Sequence, residues 1–110
     1  MIDWNRVATL RAEVGAESFA EVVALFLEEV DEVVQRFRTA PDPARLEADL
    51  HFLKGGALNL GFRRLGALCQ IGERQAAAGR AAEIDLAEVV ALYAESRRQF
   101  LESLGSAAAT

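Results

Sequence analysis

Apolar residues in this chain recur at steps of three and four almost from end to end, the spacing of one buried helix face. Val7, Leu10 and Val14 fall on one side of a short first helix, with Asp3 as its cap, Trp4 as an anchor and Gly15 as its stop. Ser18 and Glu21 have capping-box spacing and open a long second helix, whose inward stripe is Phe19, Val23, Phe26, Val30, Val33 and Phe37. Its other face carries Glu21, Glu28, Asp31, Glu32 and Gln35, which read as solvated surface. Pro41-Asp42-Pro43 is the clearest break. Pro43 or its neighbour is expected to begin a third helix with Asp42 as cap, and Leu46, Leu50, Leu53, Ala57 and Leu60 line it up to Gly61. A fourth helix runs from about Arg63 to Gly79 with Leu65, Leu68, Cys69, Gly72 and Ala76 inward. Asp85 and Glu88 repeat the capping-box spacing before a last helix with Leu86, Val89, Tyr93, Ser96 and Phe100 on one side.

No period-two segment, internal repeat or low-complexity stretch interrupts this pattern. It predicts an all-α fold: an antiparallel up-and-down four-helix bundle with a short additional N-terminal helix across one end. Residues 1–104 form a single domain on this reading, and the small, polar tail 105–110 is expected to fray.

Composition narrows the function. A chain of 110 residues suits one domain, and its 52% hydrophobic content can fill one core. No apolar run approaches the ~18–20 residues that span a bilayer, and Met1 to Leu10 carries Asp3 and Arg6 where a signal peptide is apolar. The net charge of −5 disfavours a nucleic-acid surface, and Arg63-Arg64 and Arg97-Arg98 read as solvated pairs. One cysteine makes no internal disulfide, which fits a reducing cytoplasm. Charged outer faces and inner stripes consumed by the bundle predict a monomer.

The chemistry concentrates at His51-Phe52-Leu53-Lys54-Gly55-Gly56-Ala57-Leu58-Asn59-Leu60-Gly61-Phe62. His51 is the only histidine, and Lys54 the only lysine among twelve basic residues. At ~100° per residue, His51 falls about 140° and Gly55 about 180° from the centre of the apolar stripe, so both face solvent. Lys54, about 80° away, sits on the flank with its stem along the bundle. Each of the two glycines costs about 1 kcal/mol in a helix relative to alanine. Gly56 is explained by close helix packing. Gly55 gains nothing from packing on the outer face, but a bare backbone there admits another protein's active site.

Free imidazole titrates near pH 6.5, so at cellular pH it is largely a neutral nucleophile that can accept a phosphoryl group in line and release it. Such transfer depends on positioning and charge neutralisation, and Lys54 supplies the charge. The second ring nitrogen needs an acceptor to fix tautomer and orientation; Glu73, on the flank of the next helix, and Gln70, further round it, are the candidates. In an arbitrary protein a lone helical histidine is usually a surface residue without a role, and the lone lysine one more solvated charge. A single histidine does rule out a two-histidine zinc site or a paired Glu-x-x-His di-metal centre within this chain, so no metal is expected. No glycine-rich phosphate loop is present either.

The stretch His-x-x-Lys-Gly-Gly-Ala-x-x-x-Gly-Phe, His51 to Phe62, closely resembles the phosphorylation motif of histidine-containing phosphotransfer (HPt) domains. Its Gly-Gly-Ala and Gly-Phe elements look most like the phosphotransfer domain of chemotaxis-type histidine kinases. The likeness extends weakly to Gly15 and Glu17 before the second helix and to Leu65-Gly66-Ala67-Leu68-Cys69 in the fourth. The resemblance implies that His51 is the phosphorylated residue, that Lys54 assists with phosphoryl oxygens, and that Gly55 gives a receiver room. Glu73 matches a position where relatives hydrogen-bond the ring through Glu or Gln. Gly56 stands where many relatives have Ser or Ala. The implied partners are response-regulator receiver domains and a histidine or hybrid kinase, with Mg²⁺ arriving in the receiver's acidic pocket and no cofactor of the chain's own.

Phe52, Leu58 and Asn59 surround His51 with mixed character. They read either as a docking patch or, for Phe52 and Leu58, as residues partly covered by the first helix. Cys69 reads as core, and Arg63 and Arg64 as solvated residues able to meet an acidic receiver face. The leading expectation is a stand-alone cytoplasmic phosphorelay intermediate, a phosphocarrier and not an enzyme. The alternatives are an adaptor that docks a receiver without phosphorylation, and a piece of a chemotaxis-type kinase, whose catalytic part needs several hundred further residues.

Overall fold

Five α-helices carry the chain in the computed structural model: α1 (Trp4–Val14), α2 (Phe19–Thr39), α3 (Leu46–Asn59), α4 (Arg63–Ala77) and α5 (Leu86–Ala109), with one 3₁₀ turn (Ala81–Glu83) before α5. The structure describes the backbone of residues 2–109 and the side chains of residues 2–104. Of the tail expected to fray at 105–110, the backbone of 105–109 continues α5, and the side chains of 105–109 and all of Thr110 lie outside the described residues. Among the described residues there is no strand, only an isolated bridge between Ile2 and Phe62. Helices α2 to α5 form the antiparallel bundle, each packed on two neighbours, and α1 lies against α2 and α3 at one end.

The helix ends follow local chemistry, with two departures from the expected capping. Asp3 accepts from the Arg6 amide, and Asp85 accepts from the Glu88 amide at 3.0 Å. Gly15, Gly61 and Gly79 end α1, α3 and α4 regions with positive φ. Ser18 makes no side-chain cap bond, because it is already in the helical region at the end of a turn from Gly15. Pro43 does not start α3. Asp42 instead closes a turn over Pro43–Arg45, taking the Ala44 amide on its side chain and the Arg45 amide on its carbonyl, and the helix begins three residues later than Pro43.

The core joins all five helices and centres on Leu50, Leu53, Leu60, Phe62, Leu65, Val89 and Phe100. Phe62 packs edge-on against Phe100, on which Trp4 stacks from α1, so the expected anchor forms although Trp4 keeps one exposed side. Leu27 and Val34 are also buried on α2, widening its stripe, because α2 packs against α5 as well as α3. Asp31, expected to be solvated, instead accepts from the Tyr93 hydroxyl and pairs with Arg97 across the α2–α5 seam.

Glycines set how near α3 and α4 lie. A Cβ on Gly66 would stand 2.7 Å from Leu58, and one on Gly72 would stand 3.0 Å from Leu50. On the other side of α3, a Cβ on Gly56 would stand 2.8 Å from Val30 of α2, which accounts for that glycine by packing. Gly61 serves both geometry and space: its φ is 79°, and a Cβ there would meet the Asp3 carbonyl at 2.6 Å. The Asp3 amide bonds the Gly61 carbonyl at 2.7 Å, which ties the N-terminus to the α3–α4 turn.

Candidate functional site

The close α3–α4 seam brings three of the expected residues together. Gly72 lets α4 approach, and the next residue, Glu73, reaches across to α3. Its Oε1 lies 2.5 Å from His51 Nδ1, and its Oε2 accepts from Lys54 Nζ at 2.8 Å. The lysine also reaches Oε1 at 3.5 Å. His51 and Lys54, three apart on α3, are thus gripped by one carboxylate from the neighbouring helix.

Exposure divides the group. The His51 side chain is 71% exposed, whereas Glu73 is 17% and Lys54 23% exposed. The ring stands out from the surface on a partly covered base. The Glu73 carboxyl is held below its ordinary range, first by the Lys54 hydrogen bond, against opposing desolvation, and further by the His51 contact. An ionised carboxylate only accepts hydrogen bonds, so Nδ1 is the ring nitrogen that donates to it. Cys69, beneath this seam, is fully buried and its thiol is pushed up to about 12 by desolvation, so it is a packing residue.

A family model described as Hpt domain matches residues 21–108. The chain belongs to the Hpt-domain family. No curated protein and no solved structure matches it. As an Hpt domain it has a histidine phosphotransfer role in a phosphorelay. The family match begins within α2, so the α1 helix and its ties to Gly61 lie outside it.

The remaining expected residues fall around the ring. A Cβ on Gly55 would meet nothing within 4 Å, so this Hpt domain leaves open space one turn from His51. Gln70 is exposed on α4 and makes no side-chain hydrogen bond among the described residues, so the ring contact belongs to Glu73 and not to Gln70. Phe52 and Leu58 are 45% and 49% exposed. Asn59 is engaged by α1, accepting from Arg6 at 2.9 Å.

One supporting residue was not legible in the sequence. Asp49, two residues before His51, is 6% exposed and takes a two-pronged contact from Arg36 of α2, the shorter bond being 2.8 Å. It holds the first turns of α3 against α2. Its flank position on the α3 wheel was the available signal, but identifying Arg36 required knowing how α2 and α3 are registered. Among the described residues no cluster of three or more His, Cys, Asp or Glu is arranged to hold a metal. Among the described residues no helix is long and apolar enough to cross a membrane.

Proposed function

We propose that His51 Nε2 is the phosphorylated atom and that this domain passes the group between receiver aspartates, or from a kinase to a receiver, as a carrier with no turnover of its own. The observation that supports this most is the bond from Nδ1 of an exposed ring to Glu73. It spends one nitrogen on orientation and leaves the other free for chemistry.

In the forward step the Nε2 lone pair attacks phosphorus in line. The bond from phosphorus to the donor oxygen breaks, and its electrons return to the donor carboxylate or nucleotide. The ring proton stays on Nδ1, so the phosphorylated ring gains positive charge beside the Glu73 carboxylate, which offsets it. Lys54 spends its ammonium on Glu73 but retains a further N–H direction for a phosphoryl oxygen. The open side at Gly55 gives the partner's loops room to bring the two reacting atoms within bonding distance. The partner receiver's carboxylates hold the divalent cation that neutralises the group in flight. The buried, reduced Cys69 suits a cytoplasmic setting.

The test is to label the purified domain with a small phosphoramidate and then add receiver domains with Mg²⁺. One acid-labile phosphoryl group on the native chain, absent from His51→Gln and chased onto a receiver, is the expected result. A label that persists in His51→Gln would overturn the site. A native chain that binds a receiver but neither takes nor yields a label would make it an adaptor.

A further inference from the structure

Charge around His51 is unevenly distributed. The chain is acidic overall, and the exposed side of α2 carries Glu21, Glu28, Glu29 and Glu32. On α4 the pattern reverses, since its one carboxylate, Glu73, is already engaged by His51 and Lys54. Arg63 and Arg74 are exposed there, and neither makes an ion pair or side-chain hydrogen bond among the described residues. Arg36, Arg97 and Arg98 are all engaged by carboxylates.

Helix geometry places the two arginines. Eleven residues apart, they lie within ~20° of each other on the α4 wheel and about 16 Å apart along its axis. Gln70, between them, falls about 20° from Arg63 and about 40° from Arg74, and this line lies roughly 60–100° from Glu73, on the outward side. On α3, His51, Gly55 and Leu58 make a parallel line within about 60°. Because α3 and α4 are antiparallel, with His51 opposite Glu73 and Leu58 against Gly66, Arg74 lies beside His51 and Arg63 beyond Leu58. The result is a low surface with the open Gly55 in its middle, an exposed leucine, and an unpaired guanidinium towards each end. Glu47, exposed one turn before His51, bounds it. Arg64 does not belong to it, lying ~180° round the helix from Glu73.

We propose that Arg63 and Arg74 are specificity-determining contacts to an acidic rim around the partner receiver's acceptor aspartate. This rests on the carrier reading of His51. A pocket that holds a divalent cation and an acceptor aspartate is built from carboxylates, so its rim complements this face and is repelled by the glutamates of α2. The charges sit where they orient the partner over Nε2 without touching the phosphoryl group. They act on encounter and partner choice, and Glu73 and Lys54 act on the chemistry.

The experiment compares native chain, Arg63→Glu/Arg74→Glu, the neutral Arg63→Ala/Arg74→Ala and the matched reversal Arg64→Glu. Each is labelled with phosphoramidate and then mixed with the receiver that the native chain phosphorylates fastest from a purified panel. Equal labelling of all four keeps the carrier reading and the fold intact, so transfer alone reports on docking. The expected result is a second-order transfer rate about tenfold or more lower for the double reversal at low salt, a smaller loss for the double alanine, and little change for Arg64→Glu. The difference should shrink as salt is raised. A double reversal within twofold of native, or an Arg64→Glu loss equal to it, would overturn the proposal. Failure of the native chain to label would instead strike at the carrier reading.

Discussion

Two seams of this bundle use the same device to different ends. Between α3 and α4, Glu73 is shared by a ring nitrogen and a lysine; between α2 and α5, Asp31 is shared by the Tyr93 hydroxyl and Arg97. Tyr93 is buried, and desolvation first, then its bond to Asp31, pushes its hydroxyl well above the ordinary range. Its one polar atom is used up by that bond. His51 has a second nitrogen, on a ring whose side chain is 71% exposed. A carboxylate gripping a ring therefore makes a structural clasp or a reactive site according to what the ring has left over and whether a partner can reach it.

The sharpest way to break this comparison is to swap the losses. His51→Gln should abolish acid-labile labelling while the melting temperature barely moves, since the ring is exposed. Asp31→Ala should leave labelling intact and destabilise the fold by about 1–3 kcal/mol, because the buried Tyr93 hydroxyl loses its acceptor. Glu73→Ala comes next: freeing the ring should slow labelling roughly tenfold or more, read as the rate of mass gain, with little loss of stability. The adjacent glycines sharpen the contrast between open face and packed seam. Gly55→Ala should stabilise by about 0.5–1 kcal/mol in denaturant titration while slowing transfer to a receiver. Gly56→Ala should forfeit that gain, because its Cβ would press on Val30 at 2.8 Å.

The smallest effect is in acid. The folded state depresses the Glu73 pKa below its ordinary 4.5, so the unfolded chain binds that proton first as pH falls. The stabilisation is present above pH ~4.5 and is lost as pH falls through the depressed folded value. The stability gap between native chain and Glu73→Gln should therefore be flat above that pH and narrow below it.

The helices, their stops and the His51–Lys54 pair were legible because each depends on spacing within one segment. Glu73 was legible as a candidate because it lies on the flank of α4 that borders α3, and only the close seam at Gly66 and Gly72 decided between it and Gln70. Asp31 and Asp49 were not legible as clasps. Their roles depend on which residue of another helix lies opposite, and a wheel drawn on one helix carries no register between two. Leu27 and Val34 were missed because a helix with two packed neighbours buries a wider arc than one stripe. The 3₁₀ turn Ala81–Glu83 and the delayed start of α3 fall in short connections, where turn chemistry overrides the helical pattern.

The most direct test of the central claim is the nitrogen that carries the group. Long-range proton–nitrogen NMR on the ¹⁵N-labelled domain reads both ring nitrogens before and after phosphoramidate labelling. The expected result is a proton on Nδ1 in the free protein, held by Glu73, and phosphorus coupled to Nε2 afterwards with the Nδ1 proton retained. Phosphorus on Nδ1, or a free ring protonated on Nε2, would contradict it.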